Sequence, residues 1–98
     1  MSYFRQIQEH LRLVILRALA AEPNRTSNDS FLTDVAKMYG IDRGRDLVRQ
    51  EVRWLEGIGA VRVQEVGGTL VVTALERGVD HAERRVILEG VRRPSAEA

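Results

Sequence analysis

The chain has 98 residues, of which 44% are hydrophobic and 30% are charged, a length and composition typical of one small globular domain. It has no cysteine, which excludes disulfides, thiolate metal ligands and cysteine nucleophiles. No segment resembles a membrane span or a signal peptide, so we expect a cytoplasmic protein that does not bind membranes, and the net charge of +1 means that nucleic-acid binding would require a local basic patch.

Apolar residues at helical spacing predict a first helix over residues 3–21. A second apolar stripe, Leu13, Leu16 and Ala20, lies roughly opposite the main apolar face at about 100° per residue. A small domain cannot easily bury both sides of a terminal helix, so we predict that this stripe is the interface of a homodimer. The alternative is that the C-terminal helix of the same chain covers it.

The second helix is predicted over residues 28–39, with Ser27 or Asn28 as its cap. Gly40 then stands where a residue in the left-handed conformation would end the helix. The third helix is predicted over residues 44–57, because apolar residues recur at i, i+4 and i+7 and two glycines follow.

Gly67-Gly68 lies between two short apolar runs and is a strong signal for a two-residue hairpin turn. We therefore predict antiparallel strands over residues 60–66 and 69–73. This turn places Val66 opposite Thr69 and puts the larger apolar residues on one face of the ribbon.

A fourth helix is predicted over residues 74–87, opened by a capping box of Thr73 and Glu76. After it the chain has no further apolar periodicity. The predicted domain therefore covers residues 1–89, and residues 90–98 form a flexible basic tail.

The predicted order of helices and hairpin is that of the winged helix-turn-helix, an α+β fold in which the third helix enters the major groove of DNA. Arginine suits such a role because its guanidinium donates two parallel hydrogen bonds to guanine or phosphate. The candidate DNA contacts are the polar residues near and on the third helix and one arginine at the base of the wing: Arg43, Arg45, Arg49, Gln50, Arg53 and Arg62.

Two features oppose this interpretation. The wing tip contains Glu65 and neither Lys nor Arg, whereas a wing that enters the minor groove normally supplies a basic residue. The arginines of the third helix could also be a solvated face that Asp46 and Glu51 neutralise through local pairs. The sequence thus predicts binding of double-stranded DNA, and the alternative is a protein–protein interaction module without DNA binding.

No catalytic constellation or phosphate-binding glycine loop is present, so we expect neither enzyme activity nor a cofactor. Only His10 and His81 are candidate imidazole ligands, and a packing or surface role is expected for each. We therefore predict no metal site.

Two segments resemble bacterial winged-helix proteins: Val52–Val61, at the exit of the third helix, and Thr73–Gly78, after the wing. More narrowly, the chain is similar to a family of short winged-helix proteins of Mu-like prophages, labelled as transcription regulators of the arsenic-repressor type. The similarity rests on four segments, His10–Arg17, Trp54–Glu56, Glu65–Gly68 and Gly90–Pro94. It implies a prophage regulator, although the absence of cysteine departs from the metal sensors of that type.

Overall fold

Four helices pack around a three-stranded antiparallel sheet in the computed structural model, which describes residues 2–95. In chain order the elements are α1 (Tyr3–Ala20), β1 (Thr26–Asn28), α2 (Asp29–Met38), α3 (Arg45–Gly57), β2 (Val61–Val66), β3 (Thr69–Ala74) and α4 (Glu76–Ala82). The strands lie in the order β1-β3-β2. The predicted α+β fold is confirmed, and its element order is that of a winged helix.

The starts of α1 and α2 are fixed by side-chain caps. Ser2 Oγ accepts a hydrogen bond from the Arg5 N–H at 3.0 Å, and Asn28 Oδ1 accepts one from the Phe31 N–H at 2.8 Å. Both caps satisfy backbone donors that have no partner inside their helix. No helix in the described part of the chain is both long and apolar enough to cross a membrane.

The wing hairpin has the predicted register. Val66 lies opposite Thr69, and Val63 lies opposite Val72. Gly67 and Gly68 form the turn with φ of +56° and +83°, values that residues with a Cβ rarely adopt. The face that carries Val63 and Val72 packs toward the helices.

A third strand, β1, was not predicted. It pairs with β3, so that Thr26 lies opposite Thr73 with their hydroxyl oxygens 2.9 Å apart. The strand is only three polar residues long, which leaves no apolar alternation to indicate it. The capping box predicted at Thr73 is also wrong, because Thr73 belongs to β3 and its hydroxyl contacts Thr26 of β1.

The fourth helix is shorter than predicted and ends at Ala82. Arg84 then adopts a left-handed conformation with φ of +67°, and the chain continues as an irregular segment that we call the C-terminal strap (residues 83–92). Two of its apolar side chains, Leu88 and Val91, are buried in the core. The apolar surface that these two residues bury offsets the loss of helical hydrogen bonds after Ala82.

Hydrogen bonds hold the strap against α1 and α4. The Arg92 N–H donates to the Glu9 carbonyl at 3.1 Å. His81 Nδ1 accepts from the Leu88 N–H at 3.0 Å, which places the ring proton of a neutral imidazole on Nε2, 2.9 Å from the Arg92 carbonyl. The first residues of the predicted tail, 90–92, are therefore packed against the domain. The flexibility of the tail stays a prediction, and its last three residues lie outside the described residues.

The predicted dimer stripe is covered within one chain. Leu13 and Leu16 are 4% and 0% exposed, and Ala20 is half-buried. The helix α4 approaches α1 so closely that a Cβ at Gly78 would lie 2.9 Å from Leu16 Cδ2. Leu13 and Leu16 are therefore buried within the chain, and Leu16 packs against α4 as the alternative interpretation expects, while Ala20 is covered only in part. The homodimer stays a prediction, without these residues as its interface.

Candidate nucleic-acid interface

The solvent-facing side of α3 carries Asp46, Gln50 and Arg53, all of which are at least partly exposed. Its opposite side packs into the core through three aliphatic residues, Val48, Val52 and Leu55. At about 100° per residue, Arg45 and Arg49 lie between these two sides. The predicted arginine stripe is therefore present, but only part of it faces solvent directly.

Arg49 is a structural side chain. Its Nη1 donates to the Asp29 carboxylate at 2.5 Å and to the Gly68 carbonyl at 3.1 Å. Asp29 begins α2 and its side chain is 1% exposed, while Gly68 is in the wing turn. Arg49 thus joins α2, α3 and the wing. This role was not predicted, because both of its partners are distant from it in the sequence.

Arg45 shares the same carboxylate from a greater distance. Its Nε is 3.8 Å from Asp29 Oδ2, and its side chain is 56% exposed. Removing one partner of a buried ion pair costs about 3–5 kcal/mol, whereas an exposed pair contributes about 0–1 kcal/mol. A nucleic acid could therefore recruit Arg45 readily but not Arg49, so the structure does not favour Arg49 as a contact.

Arg53 lies between two glutamates. Its guanidinium is 3.1 Å from Glu56 Oε1 and 3.5 Å from Glu65 Oε1. Glu65 is the acidic residue at the wing tip that opposes the DNA-binding interpretation, and the contact shows that β2 runs directly beside α3. All three side chains are substantially exposed, so these pairs are of the weak, exchangeable kind.

The other three predicted contacts differ in their surroundings. Gln50 is exposed and donates to Glu51 Oε2 at 3.1 Å. Arg62 is exposed on the outer face of the wing and makes no ion pair with a described residue. Arg43 lies in the turn before α3 and lines a cavity with residues of α1, so the structure does not place it on the α3 surface.

Behind α3 lies a buried polar cluster that was not predicted from the sequence. Arg12 Nε donates to Glu51 Oε1 at 2.6 Å, and Gln8 Nε2 donates to Glu51 Oε2 at 2.9 Å. The Arg12 guanidinium stacks 3.6 Å from the centre of the Trp54 ring and donates to the Gly90 carbonyl at 2.8 Å. The cluster links α1, α3 and the strap.

A sequence signal for this cluster did exist. Glu51 follows Val48 by three residues and precedes Leu55 by four, so it lies on the apolar side of α3. Arg12 is likewise flanked by leucines in α1. A charged residue at a core position of each of two neighbouring helices indicates a buried ion pair, but the pattern does not say which acid meets which base.

The described residues contain no group of three or more His, Cys, Asp or Glu side chains that could hold a metal ion. The exposed side chains on and near α3 include both hydrogen-bond donors and carboxylates. The donors are Arg45, Gln50, Arg53 and Arg62, and the carboxylates are Asp46, Glu56 and Glu65. This arrangement can bind a polyanion where the arginines exchange their partners.

The four helices, the three-stranded sheet and the hairpin held beside α3 are compatible with a winged-helix fold. No protein-family model matches the chain, and no solved structure matches it. The chain belongs to the family of a phage protein from Escherichia phage Mu named "Uncharacterized protein gp26", to which it is 41% identical over 92 residues, covering 94% of this chain and 95% of the phage protein. It is also 36% identical over 78 residues to an "Uncharacterized protein" of Haemophilus influenzae, covering 79% of this chain and 76% of that protein.

Proposed function

We propose that this protein binds double-stranded DNA through the exposed side of α3, with the wing lying beside it. One observation carries the proposal: Arg49 fixes α3 against α2 and the wing, while Arg45, Gln50 and Arg53 remain exposed on the helix. A helix held rigidly with exposed donors is suited to the major groove. Arg62 on the outer face of the wing adds a cation without an acidic partner among the described residues.

The carboxylates set the expected strength of binding. Asp46, Glu56 and Glu65 lie among the proposed contacts, so few phosphates can be neutralised by each chain. Each exposed pair that must open costs about 0–1 kcal/mol, and a phosphate then replaces the carboxylate. We therefore expect modest affinity in which direct contacts with bases supply most of the specificity.

The relationship to a phage Mu protein supports a place in a Mu-like phage or prophage. Together with DNA binding, this supports a role as a prophage transcription regulator. We propose a cytoplasmic location for this regulator, because the phage or prophage DNA that it would bind lies in the bacterial cytoplasm.

The experiment begins with selection of bound fragments from a random duplex pool, followed by fluorescence anisotropy on the selected site. Arg53→Gln should weaken binding and reduce the slope of log affinity against log salt by about one. Glu65→Gln should strengthen binding, because it removes a negative charge beside the phosphates and one of the two carboxylates that pair with Arg53. Glu83→Gln is the matched control, since Glu83 is also exposed and paired with an arginine but lies after α4.

A second candidate function is a protein–protein interaction module. It is favoured by the pairing of Arg45, Arg49 and Arg53 with acids and by exposed apolar side chains, Tyr3, Met38 and Tyr39. Recovery of no selected site, or equal affinities of the Arg53, Glu65 and Glu83 variants, would contradict DNA binding and favour this second function.

A further inference from the structure

A cavity of about 250 Å³ lies on the α1 side of the molecule, away from the wing. Its walls come from the first half of α1, the turn between α2 and α3, and the end of the strap. The side chains that matter for its chemistry are Tyr3, His10, Tyr39, Arg43 and Arg92. Three separate parts of the chain thus bring basic and hydroxyl groups to one concave surface.

The two arginines of this cavity differ from those of α3. Arg43 and Arg92 make no ion pair with any described residue, and no carboxylate side chain of a described residue lines the cavity. Of the other twelve arginines in the described part of the chain, five are paired with acids: Arg12, Arg45, Arg49, Arg53 and Arg85. Within that part, the cavity therefore holds two positive charges without internal compensation.

The position of Arg92 is set by the backbone. Its N–H donates to the Glu9 carbonyl and its carbonyl lies 2.9 Å from His81 Nε2. His81 is 0% exposed and its other ring nitrogen accepts from the Leu88 N–H. A buried histidine that holds both the middle and the end of the strap thereby places the Arg92 side chain at the cavity.

His10 completes the donor set. Burial, and then the positive charge of Arg92, lower the pKa of His10 below its ordinary value of 6.5. At neutral pH the ring is therefore uncharged and offers one N–H donor without adding a third positive charge. Tyr3 and Tyr39, which carry hydroxyl donors, also line the cavity.

We propose that this cavity binds the phosphate group of a small organic phosphate. Two guanidinium groups balance the charge of about −1.5 to −2 that a phosphate monoester carries at pH 7, whereas a carboxylate would balance only one. Guanidinium groups also match phosphate oxygens with paired hydrogen bonds. Ligand pockets usually measure about 300–1,000 Å³, so the volume near 250 Å³ favours a small molecule.

The test follows the His10 ring by NMR at constant ionic strength, with chloride as the balancing anion. The probes are inorganic phosphate, ribose 5-phosphate and a short DNA duplex. Both small phosphates should shift the His10 signals saturably and raise its pKa, because bound negative charge stabilises the protonated ring. Arg43→Gln and Arg92→Gln should each weaken the binding of both small phosphates about tenfold or more.

Arg77→Gln is the matched control, because Arg77 is exposed on α4 and does not line the cavity. It should leave the response unchanged. A response that does not saturate, or that is equal in the Arg77, Arg43 and Arg92 variants, would overturn the site. A shift produced by the duplex but by neither small phosphate would overturn the small-molecule ligand. None of these readouts uses the α3 surface, so the site and the DNA-binding proposal can fail separately.

Discussion

Glu51 shows how a single charged side chain can be tolerated in the core of so small a protein. It is 0% exposed, and each of its oxygens accepts a hydrogen bond, from Arg12 on one side and from Gln8 and Gln50 on the other. Such full satisfaction is required because an unpaired buried carboxylate would be strongly unfavourable. The cluster therefore fixes how α3 is oriented against α1.

We predict that Glu51→Gln lowers the free energy of unfolding by about 3–5 kcal/mol, because it leaves the Arg12 guanidinium buried without its counter-charge. Urea denaturation measures the change. Glu56→Gln is the control, since the Glu56 pair with Arg53 is exposed, and it should lower the value by about 0–1 kcal/mol. Equal losses in the two variants would show that the buried pair contributes no more than the exposed one.

At the scale of elements, the close packing of α4 depends on the absence of one side chain. A Cβ at Gly78 would lie 2.4 Å from the Ala60 carbonyl oxygen as well as against Leu16. Neither the backbone of Ala60 nor a leucine with no exposed surface can move easily. Gly78 therefore contributes more through packing than it loses through its weak helix propensity.

We predict that Gly78→Ala destabilises the protein by about 1–3 kcal/mol through overpacking, which corresponds to a decrease in Tm of roughly 4–8 °C per kcal/mol for a domain of this size. Thermal unfolding measures it. Gly57→Ala is the matched control, since Gly57 is also helical but a Cβ added there would meet nothing within 4 Å, and it should stabilise by up to about 1 kcal/mol. If Gly78→Ala also stabilised, α4 would have to be free to move away from Ala60 and α1.

Some of these elements could be predicted from the sequence, and the end of α4 could not. The hairpin and α3 were predicted nearly to the residue, because the turn glycines and the helical apolar spacing are local signals. The end of α4 was not, because Val86 continues the helical spacing of Val79 and Ala82, while the burial of Leu88 and Val91 that draws the chain away depends on the rest of the core. Distant contacts override local periodicity in this segment.

The candidate site divides in the same way. The arginines of α3 could be identified from their spacing, but the partners that decide their roles are distant in the sequence. Asp29, which removes Arg49 from the set of exposed contacts, begins another helix, and Glu65, which meets Arg53, comes from the wing. The cavity at Arg43 and Arg92 has residues from both halves of the chain, so no local pattern could predict it.

At the scale of the whole molecule, ionisation of His10 links stability to pH. Its pKa is lowered in the folded protein by burial and by Arg92, so between the two pKa values the unfolded chain binds more protons than the folded one. Stability must then fall as the pH decreases. The loss of stability is absent at pH values above 6.5, the pKa of His10 in the unfolded chain. It is complete at pH values below the lowered pKa of His10 in the folded protein.

We predict that the urea midpoint decreases from about pH 7.5 to about pH 5.5 in a buffer without phosphate, and that His10→Gln makes this decrease smaller. The substitution keeps a polar side chain at the cavity but cannot be protonated in this range. The measurement is a pair of denaturation curves for each protein. The same decrease in both proteins would mean that His10 does not contribute to it.

The indole of Trp54 packs against both the guanidinium of Arg12 and Gly90 of the strap, where a Cβ would be 2.7 Å from the ring. Because this is the chain's one tryptophan, its intrinsic fluorescence is an unlabelled optical reporter of the strap. Departure of the strap would hydrate the ring and move its emission to longer wavelength. Stopped-flow spectroscopy could thus time the release of the segment that carries Arg92 during unfolding, with no probe attached to the protein.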